Sequence, residues 1–210
     1  FDRVLFVGAH ADDIELFAGG LLARLCREGK AAQVLTFSNH YPVTEDTAAV
    51  EQDFKRAMAA LGVDPADAQL LDRHACSGMM QSLRGQIYSR LAQIGETFQP
   101  NLVVTHPYDT NQDHQQVRDE VLRVFKSICT IWAGEFPHNQ VSGRLPECFV
   151  YLDELDVIAK GEAVEAYVSQ RRHHRRYLTA DVWRGFAKMR GSQVGAPWAE
   201  AFTVERMVVK

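Results

Sequence analysis

The 210 residues suffice for one domain with a sizeable core, read here as a single domain over 1–210. With 46% hydrophobic and 24% charged residues the balance is that of an ordinary globular protein, and a net charge of −4 argues against nucleic acid or an acidic membrane as partner. No apolar run approaches the roughly 20 residues that span a bilayer and no secretory signal is visible, so the expectation is a cytoplasmic protein with a small-molecule partner, self-association being left open.

The chain begins at Phe1 and not at Met, so a short preceding segment is expected. Cys26, Cys76, Cys129 and Cys148 are scattered, with no C-x-x-C pair, and read as buried thiols. Any metal site must then be built from His, Asp and Glu.

Residues 3–7 (RVLFV) form a short apolar run ending at Gly8, the pattern of a buried parallel strand. Ile14, Phe17, Leu21, Leu22 and Leu25 follow at helical spacing, with Gly29 as the stop. A second strand is expected over 32–37. The Val50, Phe54, Ala57, Met58 and Leu61 stripe predicts a helix stopped by Gly62. Residues 69–71 predict a weak third strand, and Leu83, Ile87, Leu91, Ile94 and Phe98 a third helix. Residues 101–105 (NLVVT) predict a fourth strand, and Val117, Val121, Val124, Phe125 and Ile128 a fourth helix. Beyond Cys129 the pattern is irregular, with strands expected over 148–152 and 202–209 and helices over 157–168 and 180–189. The alternation predicts an α/β fold, Rossmann-like, with a mostly parallel sheet, helices on both faces and an irregular C-terminal third.

Ligands of open α/β sheets bind outside the carboxyl ends of the strands. The segments after the first and fourth strands read AHADDIE (9–15) and HPYDTNQDH (106–114), and together hold three His and five acidic residues. His10, Asp13 and His114 can supply the three ligands of a catalytic zinc site with one open position. His10 and Asp13 are three apart in a turn entering a helix, and His114 lies three residues before the buried Val117, facing the sheet. Zinc lowers the pKa of its water to about 7, and Asp12, beside a ligand, is assigned as the general base. His106 and Asp109 are read as bracing the loop or holding the ligands from behind.

Strand-A-H-x-D-D-x-E followed by H-P-x-D-x-x-x-D-H resembles the PIG-L or LmbE-like deacetylases. That family includes N-acetylglucosaminyl-phosphatidylinositol de-N-acetylase and the deacetylases of mycothiol and bacillithiol biosynthesis. The resemblance runs from Val4 to Phe202, with weaker echoes at 167–170 (YVSQ) and 199–202 (AEAF). It implies a Rossmann-like fold, one Zn2+ held by His10, Asp13 and His114, and Asp12 as base. It also implies that attack of zinc-bound water removes an N-acyl group, expected to be acetyl, from an amino sugar or its conjugate. The family usually has His at Asn111, which is thought to stabilise the oxyanion with help from the Asp at Asp113. Both are therefore included among the catalytic residues, with Asn111 limited to a neutral hydrogen bond. The family often has Arg near Val50.

Plainer readings compete. Asp13 can cap a helix, Glu15 suits its positive end, and Thr110 with Asp113 resembles a capping pair. These explain carboxylates singly, not two His at adjacent strand ends. Gly19 and Gly20 each cost about 1 kcal/mol in a helix and suggest close approach to the sheet. The basic run 170–176 reads as a solvated face or as a clamp for an anionic substrate group. Asn39, His40, Asp72 and Arg73 follow the second and third strands and are candidate substrate contacts, while Trp132, Trp183 and Trp198 suit the core. The alternatives are a magnesium-binding receiver module, for which Asp72 is a possible phospho-acceptor but no Lys is well placed, and a catalytically silent metal-binding relative.

Overall fold

The computed structural model describes residues 1–40, 46–76, 78–139, 144–170 and 175–209, the side chains of residues 40 and 72–76 excepted. Its elements are β1 (Arg3–His10), α1 (Asp13–Arg27), β2 (Ala31–His40), α2 (Thr47–Ala60), β3 (Ala68–Cys76), α3 (Arg84–Thr97), β4 (Leu102–Thr105), α4 (Gln112–Phe125), β5 (Thr130–Ala133), β6 (Cys148–Tyr151), α5 (Glu154–Glu165), α6 (Ala180–Gln193) and β7 (Ala199–Arg206). A 3-10 turn at Pro65–Asp67 leads into β3.

The sheet runs β3-β2-β1-β4-β5-β7-β6. The first five strands are parallel, and β7 is antiparallel to both β5 and β6. Side chains of β1 alternate between two cores, as the period of a strand requires. Val4 and Phe6 meet Ile14 and Leu22 of α1, Phe54 of α2 and Val164 of α5. Leu5 and Val7 meet Leu91 of α3 and Val117 and Val121 of α4. Helices therefore cover both faces, as expected. Among the described residues no helix is long and apolar enough to cross a membrane.

The departures lie where periodicity is weak. Thr130–Ala133 is a fully buried strand whose four residues leave no room for alternation. β3 is longer than expected, its outer part carrying polar residues that a single-edge pairing with β2 allows. α5 begins at Glu154 because Asp153 and Asp156 form a capping box. β7 begins at Ala199, three residues before the expected start, and ends at Arg206.

The order of strands positions the site. β1 pairs with β2 on one side and β4 on the other, so the chain reverses its direction of winding there. The loops after β1 and β4 leave the sheet side by side at this switch point.

Candidate active site

β1 ends in His10, and the Ala11 N–H donates to Ser38 O of β2 at 2.9 Å, pinning the turn. Asp12 follows with φ 113°, a left-handed conformation rare for a residue with a Cβ and costing on the order of 1–3 kcal/mol. It is the N-cap of α1, yet its side chain makes no capping bond. The strained turn instead leaves the Asp12 carboxylate in a cavity. Asp13, not a cap, accepts the His10 N–H at Oδ2, 2.6 Å.

The loop after β4 is braced by Asp109. Its Oδ1 accepts the Asn111 N–H at 2.8 Å and its Oδ2 lies 2.7 Å from His114 Nδ1. Asn111, rather than Thr110, caps α4, its Oδ1 accepting the Asp113 N–H at 2.9 Å. That bond leaves Nδ2 as the donor of the carboxamide. Asp113 is fully buried and lies outside the lining of the cavity. It accepts the Gly78 and Met80 N–H groups and lies 3.0 Å from His10 Nε2.

Each of the two His is thus held from behind by a carboxylate, which leaves His10 Nδ1 and His114 Nε2 facing Asp13. His114 Nε2 is 3.3 Å from Asp13 Oδ1, and His10 Nδ1 is 3.5 Å from Asp13 Oδ2. One ligand atom from each of His10, Asp13 and His114 lies within 4.8 Å of the others. Two imidazoles and one carboxylate, with their outer nitrogens bonded to Asp113 and Asp109, form a donor set that suits a divalent ion such as zinc. His106, Asp109 and His114 also lie within that distance. The Asp109 oxygens are engaged by His114 Nδ1 and Asn111 N–H, and His106 Nε2 lies 2.9 Å from the Ala9 amide, which can only donate to it. His106 is fully buried and stacks on His114, ring centroids 4.0 Å apart, so it fixes the plane of that ring.

Electrostatics at this point favour positive charge. Burial works against a charged His10, but Asp113 and Asp13 outweigh it and raise its pKa to about 10. His114 is likewise opposed by burial and raised by Asp13 and Asp109, to about 9. Burial and the nearby His114 push His106 down to about 4, keeping it neutral. Asp12 is pushed up to about 7, chiefly by burial and then by Asp13, with Arg175 pulling the other way. A carboxyl near neutrality is matched to general-base work. Glu15, buried and bonded to the Tyr167 hydroxyl at 2.6 Å, is structural.

The cavity has a volume of about 170 Å³, and its lining includes Asp12, Asn39, Val50, Asn111, Arg175 and Tyr177. Asn39 is buried, its Nδ2 donates to Thr47 O at 3.4 Å, and its Oδ1 has no hydrogen-bond partner among the described residues. The side chains of His40, Asp72 and Arg73 lie outside the described residues. So do residues 171–174 of the basic run, while Arg175 Nη1 reaches to 3.5 Å from Asp12 Oδ2. Phe136, His138, Gln170 and Tyr177 also line the cavity; Gln170 opens the run read as a possible clamp, while Phe136 and Tyr177 were not legible as site residues. His138 stacks on Tyr177 with ring centroids 3.8 Å apart. Trp132 and Trp183 are buried in the core, as expected.

Residues 5–125 match the family model described as PIG-L, GlcNAc-PI de-N-acetylase. The chain belongs to this family. The match spans both motif loops of the PIG-L family, from β1 to the end of α4. Comparison with curated proteins finds no match. Among solved structures, the chain resembles the zinc-inhibited form of teicoplanin deacetylase Orf2 at 17% identity and TM-score 0.73, over 96% of this chain and 97% of that one. It also resembles N,N'-diacetylchitobiose deacetylase from Pyrococcus horikoshii, at 14% identity and TM-score 0.64, over 97% and 83%. A third is GalB, the 4-carboxy-2-hydroxymuconate hydratase of Pseudomonas putida KT2440, at 20% identity and TM-score 0.71, over 100% and 98%. At these identities the likeness is one of fold, which hosts both hydrolase and hydratase.

Proposed function

We propose that this PIG-L family chain is a single-domain, zinc-dependent N-deacetylase acting on an acetylated amino sugar or amino-sugar conjugate. The observation that carries the reading is the convergence of His10 Nδ1, Asp13 and His114 Nε2 beside the cavity that holds Asp12. The family match supports the reaction, and the name of the chitobiose deacetylase supports an amino-sugar substrate; for zinc the support is the His and Asp donor set, the Orf2 structure being a zinc-inhibited form.

In this reading His10, Asp13 and His114 hold the ion, and Asp113 and Asp109 orient the two imidazoles. When bound, such an ion supplies a water of lowered pKa and polarises the amide carbonyl. Asp12 takes a proton from the attacking water as the new C–O bond forms. It returns that proton to the nitrogen as the C–N bond breaks, giving acetic acid and the amine, which exchange a proton to leave acetate and the ammonium form. Asn111 Nδ2 donates to the oxygen that gains negative charge, without an ionisable proton of its own. Arg175 favours the ionised form of Asp12 against burial and Asp13. Asn39 Oδ1, a cavity acceptor without a partner among the described residues, takes a donor of the substrate, and the reacting amide offers one in its N–H. Val50 gives this part of the cavity an apolar surface.

A screen of N-acetylated sugars and their conjugates with metal-reconstituted protein, reading released amine, tests the proposal. Turnover of one of them is expected; none across the panel contradicts it.

A further inference from the structure

α1 is broken at Ala18, whose φ −148° and ψ 17° are not helical. Leu16 C=O and Gly20 N–H, on either side of the break, are the pair that a regular helix joins. Here Leu16 O accepts from Lys160 Nζ at 2.7 Å, and Gly20 N–H donates to Glu200 Oε1 at 2.8 Å. Lys160 Nζ and Glu200 Oε1 are themselves 2.7 Å apart. The ion pair therefore stands inside the backbone ladder, its ammonium serving the carbonyl and its carboxylate serving the amide. Glu200 Oε2 takes the next amide, Leu21 N–H, at 2.7 Å.

The neighbouring residues are shaped to this insertion. A Cβ at Gly19 would lie 3.1 Å from Lys160 Cγ, and one at Gly20 would lie 3.0 Å from the Glu200 carboxyl carbon and 2.5 Å from Leu152 Cδ1. The close approach that the two glycines permit is thus to Lys160 of α5, Glu200 of β7 and the Leu152 side chain. The Trp183 ring covers the ammonium at 4.5 Å. At Gly134 a Cβ would meet the Phe17 carbonyl oxygen at 2.7 Å, so a glycine receives the turn that the break displaces.

That turn carries the metal centre. Asp13 opens it, Leu16 lines the cavity, and Phe17 sets its ring against His106 at 5.1 Å, the ring that stacks on His114. A buried ion pair gives little net stability against an apolar replacement. We propose that Lys160 and Glu200 are positioning residues for the metal centre, holding the first turn of α1 at the angle that brings Asp13 to His10 and His114. This rests on the reading of those three as metal ligands.

Two double variants and one single variant test it, with Co2+ as probe. Lys160→Met with Glu200→Met empties the ladder of the pair and lets Leu16 C=O and Gly20 N–H bond to each other. Lys160→Gln with Glu200→Gln keeps a donor and an acceptor there without charge. Gly134→Ala presses on the same turn from the other side and touches no charge. Chelator competition measures Co2+ affinity, and the visible absorption of the bound ion reports its ligand geometry. The Met pair and Gly134→Ala should bind Co2+ about 10- to 100-fold more weakly, the usual cost of losing support behind a metal site, with an altered spectrum. The Gln pair should stay close to wild type in both. Wild-type affinity and spectrum in the Met pair would overturn the proposal. If that variant does not fold, the same result in Gly134→Ala overturns it. Wild-type protein that binds no Co2+ would instead sink the ligand reading itself.

Discussion

His10 Nε2 and Asp113 Oδ2 lie 3.0 Å apart, and this one contact sets which nitrogen of His10 is free to face Asp13. The same carboxylate takes the Gly78 and Met80 amides, so the loop after β3 is tied to the ring. Asp113→Asn should weaken metal binding about 10- to 100-fold while Asp12 and its cavity stay in place. Chelator competition against wild type measures it; unchanged affinity would mean that His10 needs no support from behind.

Asp12 is separable from the ligands. Asp12→Asn keeps size and polarity but cannot accept a proton. Turnover should fall by about two to four orders of magnitude, the range for a lost general base, with metal content unchanged. Full activity in this variant would move the base to another residue.

Arg175 gives a prediction with a sign. Its guanidinium lowers the pKa of Asp12, which burial and Asp13 push up to about 7. The base works when ionised, so kcat/KM should rise with pH through that ionisation. Arg175→Met removes the stabilising cation, raises the Asp12 pKa and should carry the acid limb to higher pH. Metal content is followed over the same range, because metal loss at low pH imitates this limb. A limb that stays in place or moves down would separate Arg175 from the base.

Asn39 should matter only to substrates that carry its donor. A site built to bond an N–H or O–H discriminates strongly against the analogue lacking it. Asn39→Ala should lower kcat/KM for a secondary amide about 10-fold or more and narrow the gap to the N-methyl amide, which has no N–H. Deoxy analogues of the same substrate separate a hydroxyl donor from the amide. Equal losses on all of them would give Asn39 a structural role alone.

The metal constellation was legible because its parts are local. His10 and Asp13 share one turn, His114 lies one helical turn before Val117, and the apolar runs of β1 and β4 announce that the two loops are neighbours. The parallel sheet was legible for the same reason, since buried strands and amphipathic helices alternate up to Phe125. Thr130–Ala133 escaped because four buried residues show no period. Asp113 was expected beside Asn111 as a catalytic group; its carboxylate meets His10 and two amides from the loop after β3, contacts that no spacing encodes. Arg175 was one charge of a run read as a solvated face or as a clamp for an anionic substrate group, and its approach to Asp12 is a tertiary contact that no spacing encodes. Lys160 and Glu200 sit 40 residues apart and meet over Gly20, whose expected close approach to the sheet is to Glu200 of β7, while no spacing announces the ion pair.

The most direct test of the account is amine release from an N-acetylated amino-sugar substrate before and after the metal is stripped by a chelator and restored with Zn2+. The account predicts release by the loaded protein, loss on stripping, recovery on restoring about one ion per chain, and neither binding nor recovery in His10→Ala with His114→Ala. Amine release that continues undiminished in the stripped protein would contradict it, as would a metal-loaded protein that hydrates an unsaturated acid and leaves every N-acetyl group in place.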